Sequence, residues 1–546
     1  MKGKAIHYFF LAAVTELLSA CGSSNPVAGP SVDASTPGIR TMCTPLSGSD
    51  QGARPITIPA LQQWQSGKGN FVFSSASRIV APPGLLNEAS TLAEDLAQMF
   101  GQAPPIVSSR ATAGDIVLMQ ADCGGIVGDQ GYGFSVGQSA VIVASTNQGV
   151  FYGTRTLLQL LHQSRTIPQG EARDWPDYPE RALMLDVARQ SFSANWIEQF
   201  VRQIAYFKFT QFHLHLTDDQ GFRVESDKFP EVVSAEHFSK ADIAAIVALG
   251  AQYHIEIIPE IEMPGHCGAI LAAHPEFLLK NAAGVGVTSY SEDLDVTNDS
   301  ARAFVSALIE DILPQFPGRY WHIGGDEIMP NALLSTYPQL TAYGQKHYGP
   351  TANAKDTIHG FQNDIAALLE SHGKIPRMWH DEMLGGAAVT LDPNIVVEWW
   401  GNSSPYGDLL PITPQAVISS GHPIMNVGYY PNYYDSTGPL SIGPLQPNMQ
   451  TAYESWAVNE FDGILGAPPN YTIAPNEPAN LGGQMAIWNG GGVSPVTDAQ
   501  IAQAIEPRLR VLGQKYWQSP LLVPSYAGFQ TVMQIVGDAP GFVSPQ

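Results

Sequence analysis

Two acids stand side by side after two glycines in WHIGGDEIMP, residues 321–330, as Asp326 and Glu327. An acid pair recurs as Asp381 and Glu382 in HDE at 380–382. The first pair differs in its setting, a short apolar run that stops at a glycine turn. Acids, histidines or tryptophans close six other apolar runs as well: LDVAR, HLTDDQG, PEIEMPGH, MWHDE, EWWG and AIWNG. Carboxylates with indoles and no basic cluster suit a sugar. Indole faces stack on the apolar side of a pyranose, while carboxylates grip its hydroxyls and protonate a glycosidic oxygen. An ordinary retaining mechanism needs two carboxylates about 5–5.5 Å apart on opposite sides of the scissile bond. Neighbours on one strand end do not easily straddle a sugar in that way. Asp326 and Glu327 therefore read as two helpers from neighbouring directions, with the nucleophile supplied by the substrate.

These groups need a scaffold that gathers strand ends. Eight apolar segments read as strands: RALMLD (181), QFHLHL (211), HIEIIPE (254), RYWHIGG (319), IPRMWH (375), NIVVEWW (394), HPIMNV (422) and GGQMAIW (482). Helical stripes lie between them: Ile197, Phe200, Val201 and Ile204; then Phe304, Leu308 and Ile312; then Ile358, Phe361, Ile365, Leu368 and Leu369, closed by Gly373. Strand–helix alternation over eight units predicts an α/β fold, a (β/α)8 TIM barrel over 176–520, with its site where strands end and loops begin. A small α/β domain is expected over 51–175. NFVFSS, DIVLMQ and AVIVAS read as its strands, and TLAEDLAQMFG and QGVFYGTRTLLQLLHQ as helices with Leu157, Leu160 and Leu161 on one face. RDWPDYPE at 173–180 marks the boundary, and 521–546 reads as a C-terminal tail.

HIGGDE, HLHLTDDQGFRVESDKFPE, PEIEMPGH and LMLDVAR, in that combination, resemble family 20 glycoside hydrolases, the β-N-acetylhexosaminidases. The resemblance covers most of 180–500, and QGVFYGTRTLLQLL resembles the end of the small domain that precedes the barrel in that family. It implies hydrolysis of terminal β-linked GlcNAc or GalNAc from glycans or oligosaccharides, with no metal or organic cofactor. The substrate's 2-acetamido oxygen would attack C1 to give an oxazolinium-like intermediate. Glu327 would be the general acid and then base, Asp326 would orient the acetamido group, and Tyr433 would hydrogen-bond its oxygen. Trp379, Trp400 and Trp488 would wall the pocket, Arg189 and Asp435 would bind hydroxyls, and Asp218 with His266 would form a relay to Glu327. Three positions depart from the family pattern or stay ambiguous. WNG leaves Gly490 where an acid contacts outer hydroxyls, His380 rivals Trp379, and Trp399 rivals Trp400. Release of a disaccharide such as lacto-N-biose by the same mechanism is the alternative.

Other readings use the same residues. Arg189 could pair structurally with Asp186, His266 could be a core histidine, and Asp219 reads as a structural hydrogen-bond acceptor. His213 and His215 share a strand face as metal ligands would, with His322 and Asp381 as possible additions, but both precede the rim. A non-catalytic sugar-binding lipoprotein is a further rival, although Asp326 and Glu327 are both present.

With Lys+Arg 27 against Asp+Glu 50, the net charge of −23 speaks against a nucleic-acid partner, whose phosphates demand a basic face. Lys2 and Lys4 precede the short apolar run AIHYFFLAAVTELLSAC, which reads as an export signal. LSAC resembles a bacterial lipoprotein signal over 1–21, with Cys21 lipidated; an ordinary cleaved signal is the rival. Residues 22–50 read as a flexible tether, so membrane contact would be through the anchor alone, in the periplasm or cell envelope. Cys43 and Cys123 could pair, worth roughly 4 kcal/mol in chain entropy, whereas Cys267 reads as a buried thiol.

Overall fold

Period-two alternation builds the main layer. In QFHLHL, Phe212 and Leu214 turn outward into the core beneath the helices, while His213 and His215 turn into the barrel. The computed structural model describes residues 42–46, 53–123, 125, 127–286, 292–329, 331–401, 412–436, 448–462, 470–489 and 496–545. The leader with Cys21, the tether apart from 42–46, and Gly490 lie outside the described residues. Among the described residues no helix is long and apolar enough to cross a membrane.

The small domain is a seven-stranded sheet: β1 Gln63–Val72, β2 Ile79–Val80, β3 Ile106–Val107, β4 Ile116–Gln120, β5 Tyr132–Val136, β6 Ala140–Ala144 and β7 Thr166–Asp174, in the order β1-β7-β5-β6-β4-β2-β3. Helices α1, Leu86–Phe100, and α2, Asn147–Gln163, supply its other layer. Thr146 caps α2 by accepting from Gly149 N–H, and Leu157, Leu160 and Leu161 are all buried. Cys43 and Cys123 are joined in a disulfide, and Cys267 is a buried free thiol.

The barrel strands are β8 Glu180–Asp186, β9 Gln211–His215, β10 Glu256–Glu260, β11 Tyr320–His322, β12 Ile375–Trp379, β13 Val396–Trp399, β14 Ile424–Asn426, β15 Tyr433–Asp435 and β16 Asn480–Trp488. All eight predicted segments are present. They pair in parallel from β8 through β14, and β16 closes the ring by pairing with both β14 and β8. At the rim β15 replaces β14 beside β16, setting Tyr433 opposite Ala486 and Asp435 opposite Trp488. Register aligns Asp186 with His215, His215 with Glu260, Glu260 with His322 and His322 with Arg377, so one interior layer is polar. The predicted helical stripes lie on α3 Ala194–Tyr206, α4 Lys240–Gln252 being the unmarked helix that follows, then α5 Asp299–Ile312 and α6 Ala354–Ser371. Asn353 and Asp356 form a reciprocal cap at the start of α6.

The two domains share buried polar contacts. Lys208 Nζ lies 2.7 Å from Asp174 Oδ2, and Gln159 donates to the Tyr206 carbonyl at 3.0 Å. The last barrel helix, α7 Asp498–Trp517, joins in, with Trp517 Nε1 donating to Asp174 at 2.9 Å. The stretch expected as a tail holds helix α8, Tyr526–Val536, because Phe529, Val532, Met533 and Val536 form an apolar face that buries against the rest of the fold.

Candidate active site

The acid pair owes its geometry to backbone shape. After β11 the chain turns through Gly324 and Gly325, with φ of 69° and 94°. A Cβ on Gly324 would sit 1.8 Å from Glu262 Oε1, and that same oxygen accepts Gly325 N–H at 2.9 Å. Only glycine fits both the left-handed backbone and this close approach. Glu327 also takes a positive φ, 44°, and its N–H donates to Asp381 Oδ2 at 2.9 Å. This second left-handed step turns two consecutive side chains toward one imidazole. His266 Nε2 lies 3.8 Å from Asp326 Oδ2 and 3.5 Å from Glu327 Oε2. His266 is itself left-handed, with φ of 49°. Left-handed non-glycine residues clustered at one place store strain that the surrounding hydrogen bonds must hold.

Asp326 is buried, and its Oδ1 has no hydrogen-bond partner among the described residues. Burial, together with the charges of Glu260 and Glu327, raises its pKa against the pull of His266. Beneath it Glu262 is pushed well above the usual carboxylate range by burial and then by Asp326 and Glu260. Asp381 is pushed the same way by burial and Asp326.

The expected Asp218–His266 contact is present as the longer of two, with Asp219 nearer the imidazole. His266 Nδ1 is 3.3 Å from Asp219 Oδ2, while Asp218 Oδ2 is 3.9 Å away. Asp218 is already engaged by Arg189 Nη2 at 2.6 Å and His215 Nε2 at 3.1 Å. Burial alone would raise Asp218, but Arg189, His266 and His215 hold it well below the usual range. Asp219, expected only as a structural acceptor, does accept Gly268 N–H at 2.9 Å, and its other oxygen faces the imidazole. Burial would lower His266, yet Asp218, Asp219, Glu327 and Asp326 together lift it well above its ordinary value.

Near the acids lies an aromatic cluster. Trp379, Trp400, Tyr433, Trp488 and Tyr429 fall in one cluster, with ring centroids 5.8 Å apart for Trp379–Trp488 and 4.5 Å for Tyr429–Tyr433. Alternation along the strands resolves the ambiguous tryptophans. Trp400 turns inward and Trp399 outward, where its Nε1 donates to the Ile412 carbonyl at 2.8 Å. Trp379 joins the inner cluster, with Nε1 on Glu260 Oε1 at 2.7 Å. His380 packs against Trp399 and Trp400 instead, and burial pulls its pKa down to about 3. Arg189 does pair with Asp186, at 3.1 Å, as well as with Asp218, and its guanidinium lies 5.3 Å from the Trp488 ring centre. Asp435 is partly exposed at the rim. Glu262, Asp381 and Tyr429 belong to the site although no role was expected of the first and third. PEIEM and HDE carried the signal of acids at strand ends, but nothing local separated one acid from another.

Among the described residues three compact groups have the donor types of a metal site: His213, Glu260 and His322; His215, Glu260 and Glu262; Asp218, Asp219 and His266. Their atoms are largely committed to one another. Glu260 alone faces His215 at 2.6 Å, His322 at 2.8 Å and His213 at 3.0 Å besides Trp379, and Asp381 lies apart on Glu327 and Trp400. This bonding is that of a polar core in which each histidine finds an acid.

Known sequences and structures resemble this chain over most of its length. The profile described as "Glycosyl hydrolase family 20, catalytic domain" matches residues 178–520, and "Glycosyl hydrolase family 20, domain 2" matches 54–175. A lacto-N-biosidase of Bifidobacterium bifidum is 27% identical over 468 residues, 85% of this chain and 40% of that protein. A beta-hexosaminidase of Porphyromonas gingivalis is 26% identical over 521 residues, 88% of this chain and 62% of its own length. The chain thus spans less than two thirds of each of these relatives. The solved GH20 beta-N-acetylhexosaminidase of Streptomyces coelicolor superposes with a TM-score of 0.68 at 25% identity, covering 88% of this chain and 95% of that one.

Proposed function

Because the chain belongs to glycosyl hydrolase family 20, we propose that it is a retaining exo-β-N-acetylhexosaminidase that uses its substrate's acetamido group as the nucleophile. The observation that carries this reading is the buried Oδ1 of Asp326, unpartnered among the described residues, beside Glu327 and near an aromatic cluster. A buried acceptor without a donor is costly, and an acetamido N–H entering the pocket supplies one. In this reading Asp326 takes that N–H, aims the carbonyl oxygen at C1 and offsets the positive charge that develops on the ring being formed. Tyr433 donates its hydroxyl to the attacking oxygen. Glu327 protonates the glycosidic oxygen as the bond to C1 breaks, then withdraws a proton from the water that opens the oxazolinium. Trp379, Trp400 and Trp488 exclude water from the acetamido group, and Arg189 and Asp435 hold ring hydroxyls. The Asp219–His266 pair sets an imidazole against Glu327.

The test compares nitrophenyl β-N-acetylglucosaminide with the plain β-glucoside. Turnover of the acetamido sugar alone is expected, and equal cleavage of both would refute the mechanism. The match to a lacto-N-biosidase over 85% of this chain supports a second reading, release of a disaccharide. A panel of labelled β-linked glycans separates the two by product size. Export with lipidation at Cys21, placing the enzyme in a bacterial envelope, is proposed from LSAC alone and is tested by incorporation of labelled palmitate that a C21S variant abolishes.

A further inference from the structure

Nothing in the mechanism above uses the second acid pair, yet one member of it is wired to two parts of the site. The buried Asp381 accepts the backbone N–H of Glu327 on Oδ2 at 2.9 Å, and its Oδ1 accepts from Trp400 Nε1. The first bond falls on a residue whose φ is 44°, a conformation a glutamate does not hold without help. The second fixes the plane of an indole in the aromatic cluster. Asp381 is itself anchored from behind. The next residue, Glu382, is buried against Lys355, and the Glu382 carbonyl faces His359 Nε2 at 2.6 Å, both partners lying on α6. A rigid helix thus sets the position of Asp381, and Asp381 sets the backbone of the acid.

We infer that Asp381 is a positioning residue that holds Glu327 in proton-transfer geometry and ties that geometry to the Trp400 wall. The inference rests on Glu327 being the general acid, and it assigns to HDE a function in the reaction. Misplacing a reacting group by about 1 Å costs about a hundredfold in rate. That loss should appear only where protonation of the leaving group matters.

The experiment measures kcat/KM for full-length wild type, D381A, D381N and E327Q on two substrates of unequal leaving-group ability, dinitrophenyl β-N-acetylglucosaminide and diacetylchitobiose. D381A is expected to lose about a hundredfold on diacetylchitobiose and less than about threefold on the dinitrophenyl sugar, the same split as E327Q in weaker form. D381N, whose side-chain carbonyl can still accept Glu327 N–H, is expected to recover most of the diacetylchitobiose activity. Where D381A does not fold, D381L, of the same branched shape, carries the same expectation. An equal loss on both substrates, or no loss on either, overturns the positioning role. Absence of the split in E327Q would instead overturn the acid assignment on which it rests, so the two failures are told apart.

Discussion

Substituting Gly324 by alanine is a sharp probe of how the acid pair is built. The added methyl would meet Glu262 Oε1 at 1.8 Å, and the backbone there has φ of 69°. Holding an alanine in the left-handed region costs about 1–2 kcal/mol. Displacing Glu262 strips the Gly325 N–H of its acceptor in a buried place, about 1–3 kcal/mol more. Together these come to about 2–5 kcal/mol, a large share of a typical stability of about 5–15 kcal/mol. Gly373 provides the control. Its φ is 74°, but among the described residues no atom would lie within 4 Å of an added methyl, so G373A carries the backbone cost alone. Urea denaturation of both variants should place G324A clearly below G373A. The kinetic effect is separate. A turn that shifts Asp326 and Glu327 by about 1 Å should cut kcat/KM about a hundredfold, whereas G373A should leave it unchanged. Equal stability and equal activity in the two variants would refute the argument that Glu262 packs against the turn.

Three further outcomes are expected. Y433F keeps the ring packed against Tyr429 and Trp488 but removes the hydroxyl, so kcat should fall about 10- to 100-fold with little change in melting temperature. W400F should lower kcat/KM while W399F, on the outward face, should lower stability with kcat/KM near wild type; kinetics and melting of both variants check this. His215 supplies a pH test. Burial would lower its pKa, but Glu260 and Asp218 lift it to about 10. Stability from this charge is complete below the unfolded value of about 6.5 and is lost as pH rises through about 10. The stability gap between wild type and H215Q should therefore shrink across that window, measured by melting at stepped pH; a constant gap would show that His215 does not carry the charge.

Alternation of side chains and the order of motifs were enough to predict the barrel. QFHLHL can bury Phe212 and Leu214 only by turning His213 and His215 the other way, and eight such segments with helices between them close on themselves. The acids at the strand ends were legible for the same reason, since a strand's end is where its polar residues begin. Local sequence left open which acid does what. Asp218 and Asp219 are adjacent and chemically alike; Arg189 from the loop after β8, with His215 three residues back, claims the first and leaves the second to His266, which comes from the loop after β10. Trp379 and His380 were likewise equal candidates until the inward direction of β12 chose between them. The left-handed turn at Glu327 is the clearest case, because it depends on an acceptor 54 residues away on the loop after β12. The sequence by itself determined the strands, their inward faces and the pool of reactive groups, all properties of short-range pattern. Tertiary structure alone decided their partners and directions, because hydrogen bonds between residues far apart in the chain form only once the barrel has closed.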